Sequence, residues 1–301
     1  MTRISVLLVS VSPVLATAML CAQAKDAPSA ETIMARVASN QDHAEAERAH
    51  YVYVQHARMA SRRGSTVQCE ELTDYRITPS AEGFHEELLK LDGRLRVKGK
   101  YESYNALLPD DDGAKTPNDH ESVSVTIGSE NADRDIVEHM RKNLMLDKSK
   151  DGINAHLFPL TTKEQSVYAF RLQGRERLNG HDVYHVTFRP KDKQDYGWKG
   201  NAYIDVEAYQ PVLVTTEMAR KIPFAVRTLL GTNLPGLGFT VVYSPQADGV
   251  WFPATFSTEF KIHVLYFFHR DITLNAENRD FEKTHVTSKM LDGVTPVDPQ
   301  Q

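Results

Sequence analysis

Hydrophobic positions recur along this chain with two periods, and their order outlines an architecture. Ser29 to Glu47, just after Pro28, places Ala30, Ile33, Met34 and Val37 on one face at helical spacing, with a polar second half. A period of two then takes over. Tyr51, Tyr53 and Gln55 alternate with Val52, Val54 and His56. Val67, Cys69, Thr73, Tyr75 and Ile77 alternate against Gln68, Glu70, Asp74 and Arg76. A third run, Phe84 to Leu91, is expected to turn at Asp92-Gly93 and return through Leu95 and Val97, because Asp-Gly between apolar runs signals a hairpin. From Tyr104 to Glu121 the pattern dissolves into a polar loop containing Pro109-Asp110-Asp111-Asp112-Gly113. A helix is predicted near Asp133 to Leu146, from Ile136, Val137, Met140 and Leu144. The stretch up to Gln165 reads as a helical cover.

From Ser166 onward the chain is nearly all strand. Tyr168, Phe170 and Leu172 share a face, and Asn179-Gly180 turns into Tyr184, Val186 and Phe188. Trp198, Gly200, Ala202, Ile204 and Val206 oppose Lys199, Asn201, Tyr203 and Asp205. Gln210-Pro211 opens a strand through Val212, Val214 and Thr216, and Phe239 to Tyr243 follows. The clearest alternation puts Val250, Phe252, Ala254, Phe256, Thr258, Phe260 and Ile262 on one side, with Trp251, Thr255, Ser257, Glu259 and Lys261 on the other. Val264 to Phe268 is apolar on both faces. One buried and one wet face, repeated through successive strands with short turns, implies a curved antiparallel meander.

Composition and charge narrow the setting. Met1 to Ala24 has the layout of a secretory signal: Arg3, then the apolar stretch Ile4 to Leu20, then Ala22-Gln23-Ala24 as a cleavage site. Its removal leaves 277 residues with 34 basic and 40 acidic side chains, a net charge near −6. That balance argues against a nucleic-acid or anionic-membrane binder. The expected location is the periplasm, exported and soluble. A lipid anchor through Cys21 is the weaker reading, because bulky Leu20 stands where a lipobox wants a small residue. Cys69 is then the single cysteine of the mature chain, so no intramolecular disulfide forms.

Twelve histidines invite a metal, yet no grouping has ligand spacing. His181 and His185 lie four apart on a strand, and His-Glu-x-x-His is absent. His263 and His269 flank an apolar strand, which at about 3.4 Å per residue sets them roughly 20 Å apart. Asp110, Asp112 and Gly113 mimic part of a calcium loop but lack its closing glutamate. There is no nucleophile elbow, P-loop or dinucleotide fingerprint. Cys69 sits mid-strand as a buried thiol. The expectation is a protein that is not an enzyme, with no cofactor and no metal site.

Two features stand out from this search. One is the aromatic face of the large sheet, Trp198, Tyr243, Phe252, Phe256, Phe260, Tyr266 and Phe268, of which the first five are candidate walls of an apolar cavity. Plain core packing explains the same residues equally well. Walls of this kind suit an acyl chain, at about 0.8 kcal/mol per buried methylene. The other is Ile222 to Gly238, a long apolar connection. Its Phe224, Val226, Leu229, Leu230 and Leu234 are candidate gate or contact residues, and a short helix plugging the barrel end is an equal reading.

The element order, the segment WKGNAYIDVEAYQPV (Trp198 to Val212), the turn text RERLNGHDVYHVTF (Arg175 to Phe188) and the stretch Tyr243 to Pro253 together resemble the outer-membrane lipoprotein-sorting proteins. These share the LolA/LolB-like fold, which also includes the RseB-type sensor domain. The resemblance implies an α+β class: an open, curved antiparallel β half-barrel of about 10–11 strands with covering helices. It implies one domain over residues 25–301, with an insert at about 104–165. It further implies a non-enzymatic carrier for lipoprotein acyl chains or another apolar ligand. The alternative is a sensor module that binds a periplasmic or membrane protein partner. The family's lid-locking arginine matches no single arginine of this chain.

Overall fold

The structure, a computed structural model, describes residues 28–80, 83–107, 131–145, 151–152, 160–194, 197–219, 232–233, 237–264 and 268–284. The leader assigned to residues 1–24, most of the polar loop, the acidic mimic of a calcium loop and Tyr266 lie outside these residues. So do all five residues named for the gate.

The chain opens with helix α1 (Ala30–Arg48), capped by Ser29, whose hydroxyl accepts from the Thr32 amide at 3.1 Å. Strands β1 (Tyr51–Arg63), β2 (Thr66–Ser80), β3 (Gly83–Val97) and β4 (Lys100–Tyr104) follow. Helix α2 (Ala132–Met145) and the single turn α3 (Thr162–Gln165) precede the remaining strands. These are β5 (Tyr168–Leu178), β6 (His181–Pro190), β7 (Trp198–Asp205), β8 (Pro211–Met218), β9 (Thr232–Asn233), β10 (Phe239–Pro245), β11 (Trp251–Val264) and β12 (Phe268–Lys283).

Eleven strands form one antiparallel sheet in the order β4-β3-β2-β1-β12-β11-β10-β8-β7-β6-β5, and two-residue β9 adds to the end of β11. The sheet is open, because β4 and β5 are its two edges. One inward row crosses ten strands by direct pairing: Leu91, Thr73, Ala57, Ala276, Phe256, Val241, Val214, Ala202, Val186 and Leu172. The sheet is also strongly curved. His181 on β6 and Trp251 on β11 lie four strands apart, about 19 Å in a flat sheet, yet their rings are 5.6 Å apart.

Both helices cover the same inward face. Ile33, Met34 and Val37 of α1 pack with Val186, Ile204, Val214 and Val241. Ile136, Val137 and Met140 of α2 pack with Met59, Cys69, Ile272 and Leu274. Among the described residues, no helix is long and apolar enough to cross a membrane.

Three expectations from the sequence need correction. Asp92-Gly93 is not a turn: β3 runs through it unbroken, and the chain reverses at Lys98-Gly99, where φ is positive at both residues. Gly93 is required because a Cβ there would fall 2.1 Å from the Tyr104 ring, which lies across it. Phe252 and Phe256 do not share a face. Phe256 pairs with Val241 but Phe252 with Ser244, an odd and an even position of β10, because a bulge shifts the register between them. Finally, Val264 and Phe268 are not the two ends of one strand: Val264 ends β11, Phe268 begins β12, and the two are paired. His263 and His269 are therefore direct cross-strand partners with rings 4.8 Å apart, not ends of a 20 Å rod.

Candidate functional site

Where the α1-covered and α2-covered parts of the sheet meet, the described residues leave the inward face unfilled. A cavity of about 310 Å³ remains, at the lower end of the usual range for small-molecule sites. Its floor comes from β10, β11 and β12: Phe239, Val241, Phe256, Thr258, Phe260, Leu274 and Ala276. Met140 and Leu144 close it from α2, and Trp198 reaches it from β7. The aromatic walls are mutually braced. Trp198 meets Phe239 edge-on at 4.9 Å, and Phe239 stacks on Phe256 at 5.7 Å. Phe256 packs against both core clusters, so it marks the seam between them.

Of the five wall residues named from the sequence, Trp198, Phe256 and Phe260 line this cavity. Tyr243 and Phe252 sit in packed core instead. Tyr243 faces inward but is buried near Arg48 and Asp151, and burial raises its phenol pKa. Phe252 is fully buried among Tyr51, Tyr53 and Phe281, where the β10–β11 bulge directs it. The sequence reading omitted Phe239, although it alternates with Val241 and Tyr243. It also omitted Leu274 and Ala276, whose strand alternates Ile272, Leu274, Ala276 and Asn278 against Asp271, Thr273, Asn275 and Glu277. Among the described residues of the gate segment, Leu237 and Gly238, at its end, line the cavity. Gly238 passes so close to β8 that a Cβ would lie 2.1 Å from the Thr216 carbonyl oxygen.

Two buried ion pairs hold the helices beside the cavity. Arg48, the last residue of α1, donates from Nε to Asp151 Oδ2 at 2.7 Å and from one Nη to Gln41 Oε1 at 3.2 Å. Under α2, Arg141 donates from Nε to Glu71 Oε1 at 2.8 Å and to the Tyr75 hydroxyl at 3.1 Å, and it lies 3.0 Å from Glu138. Tyr104 donates to the other Glu71 oxygen at 3.2 Å. Burial raises the Glu71 carboxyl above its ordinary pKa, against the pull of Arg141.

Burial pushes the Cys69 thiol up to about 12, which removes it as a nucleophile near neutral pH. His181 bonds Asp205 at 2.8 Å, and His185 bonds Asn201 at 2.9 Å. Among the described residues, no group of three or more His, Cys, Asp or Glu side chains could hold a metal ion.

No family model matches the chain, and no curated protein matches it. Solved structures similar to it include a DUF1329 family protein from Desulfovibrio piger, at 11% identity and a TM-score of 0.40, covering 85% of this chain and 94% of that one. A LolA superfamily protein from Nitrosomonas europaea is 12% identical with a TM-score of 0.35, covering 86% and 94%. The MucA/MucB complex of Pseudomonas aeruginosa gives 10% identity and a TM-score of 0.23, covering 83% and 99%. LolA-type proteins are thus among the similar structures, as they are in the resemblance read from the sequence.

Proposed function

We propose that this chain is an exported, non-enzymatic carrier that holds an acyl chain or another elongated apolar ligand in the cavity beneath α2. The observation behind this reading is the cavity wall itself. Trp198, Phe239, Phe256, Phe260 and Leu274 present an apolar surface that is not closed by the two helices packed on the same face. Burial of each ligand methylene there is worth about 0.8 kcal/mol, and no reacting group is needed. In this reading the segment from Phe224 to Leu234 acts as a gate or contact loop.

Native mass spectrometry of protein purified from the periplasm, followed by lipid extraction, tests the proposal. A co-purifying acyl species at fixed stoichiometry is the expected result. Protein that is empty on isolation and gains no stability from any acyl ligand would sink it. That outcome would favour the alternative, a module that binds a partner protein, with the aromatic face as ordinary core.

A further inference from the structure

The cavity wall is apolar along most of its length but not at one end. Gln55 on β1 and Asn278 on β12 are direct cross-strand partners, and both line the cavity. Gln55 is only 6% exposed. Its Nε2 donates to Asn278 Oδ1 at 3.0 Å, and Asn278 Nδ2 donates to the Pro253 carbonyl at 2.9 Å. From Asn278 back along β12 the inward positions are Ala276, Leu274 and Ile272, which pair with Phe256, Thr258 and Phe260 of β11. Asn278 and Leu274 are four residues apart, about 14 Å along the strand. The cavity therefore has a carboxamide end and an aromatic trough.

Resting on the acyl-binding reading above, we infer that the ligand is a single-chain amphiphile with an uncharged polar head. The head sits against Asn278 and Gln55, and the chain lies over Phe256, Phe239 and Trp198 toward Phe260. Two arguments select this class. A carboxamide both donates and accepts, and Asn278 keeps a second N–H and a second lone pair beyond its two bonds. Esters, amides and hydroxyls can exchange such bonds with it. A carboxylate or phosphate buried in the same place needs a cation. Among the described residues, the polar side chains of the wall are these carboxamides and the hydroxyls of Thr255 and Thr258, none of them a cation, and nearby Arg48 already pairs with Asp151 at 2.7 Å.

The test is a binding series on the delipidated full chain by isothermal titration calorimetry. It compares a monoacylglycerol, a primary fatty amide, a fatty acid ionised at the working pH and a lysophosphatidic acid, all of one chain length. The expected order puts the two neutral ligands at least about tenfold tighter than the two anions. Affinity should rise up to about fourfold per added methylene, the equivalent of about 0.8 kcal/mol. Asn278→Leu should abolish the head-group preference while leaving the chain-length dependence, and Gln55→Leu should act in the same direction. Phe256→Ala should weaken all four ligands together. Anions that bind as tightly as the neutral ligands, or a preference that survives Asn278→Leu, would overturn the head-group assignment while leaving the acyl site standing. Failure of all four ligands to bind would overturn both.

Discussion

The two helices cover one face of one sheet, but they are held there by different physics. Beneath α1 the contact is nearly all apolar: Ile33 and Val37 join Val186, Ile204, Val214 and several aromatic rings, and a buried charge pair, Arg48 with Asp151, lies at the helix end. Beneath α2 an aliphatic stripe shares the interface with a buried network of Arg141, Glu71, Glu138, Tyr75 and Tyr104. Hydrophobic burial is non-directional and tolerates small shifts. A buried ion network is strong only when every member is in place. The α1 half is thus a packed core. The α2 half is a docking that depends on particular pairs, and the cavity opens on that side.

The largest effect should come from the network. Arg141→Met leaves Glu71 and Glu138 buried without their cation and should lower stability by about 3–5 kcal/mol in urea unfolding. Raising the pH from 4 to 8 should deepen that loss, because ionising Glu71, which burial already disfavours, then has no cation to offset it. Ile33→Ala, in the apolar α1 half, should cost about 2–4 kcal/mol by cavity formation and show little pH dependence. If the two variants had the same pH profile, the contrast between the halves would collapse. Next comes Gly93→Ala, whose methyl displaces the Tyr104 ring from its place beside Glu71 and Cys69, at about 1–3 kcal/mol. Ser29→Ala removes the α1 cap and should cost about 1 kcal/mol.

The smallest effect lies at the surface. Bonds from Lys283 and Tyr51 hold the Asp248 carboxyl at about 2, below its ordinary 3.8. A depressed folded-state pKa contributes stability that is present above 3.8 and is lost as the pH falls toward 2. Asp248→Asn should therefore flatten the acid limb of the stability curve in that window and leave neutral pH nearly unchanged.

Much of this was legible in the chain. Alternation gave the strands β5 to β8, β10 and β11, and the Asn179-Gly180 turn stands where expected, with positive φ at both residues. Half-burial imposes that pattern directly. The misses have local causes. Asp92-Gly93 carries a hairpin signature, but its glycine serves a crossing tyrosine. The phase of β11 changes at Pro253 because of a bulge, and one extra residue leaves no mark on the spacing of the aromatic positions. Strand β12 was overlooked because Asp, Asn, Glu and Arg crowd it. Yet it joins β1 to β11 and supplies the carboxamide end of the cavity. The cavity itself depends on curvature and on how far two helices reach, which no spacing encodes.

The most direct test uses an acyl probe with a photoreactive diazirine near the chain terminus, cross-linked to the delipidated full chain and mapped by peptide mass spectrometry. The expected result is labelling on β10–β12 at Phe239, Phe256, Phe260 or Leu274, suppressed by excess unlabelled ligand and weakened in Phe256→Ala. Saturable labelling confined to the α1 side or to the outer face of the sheet would contradict the site. So would labelling that excess ligand does not suppress.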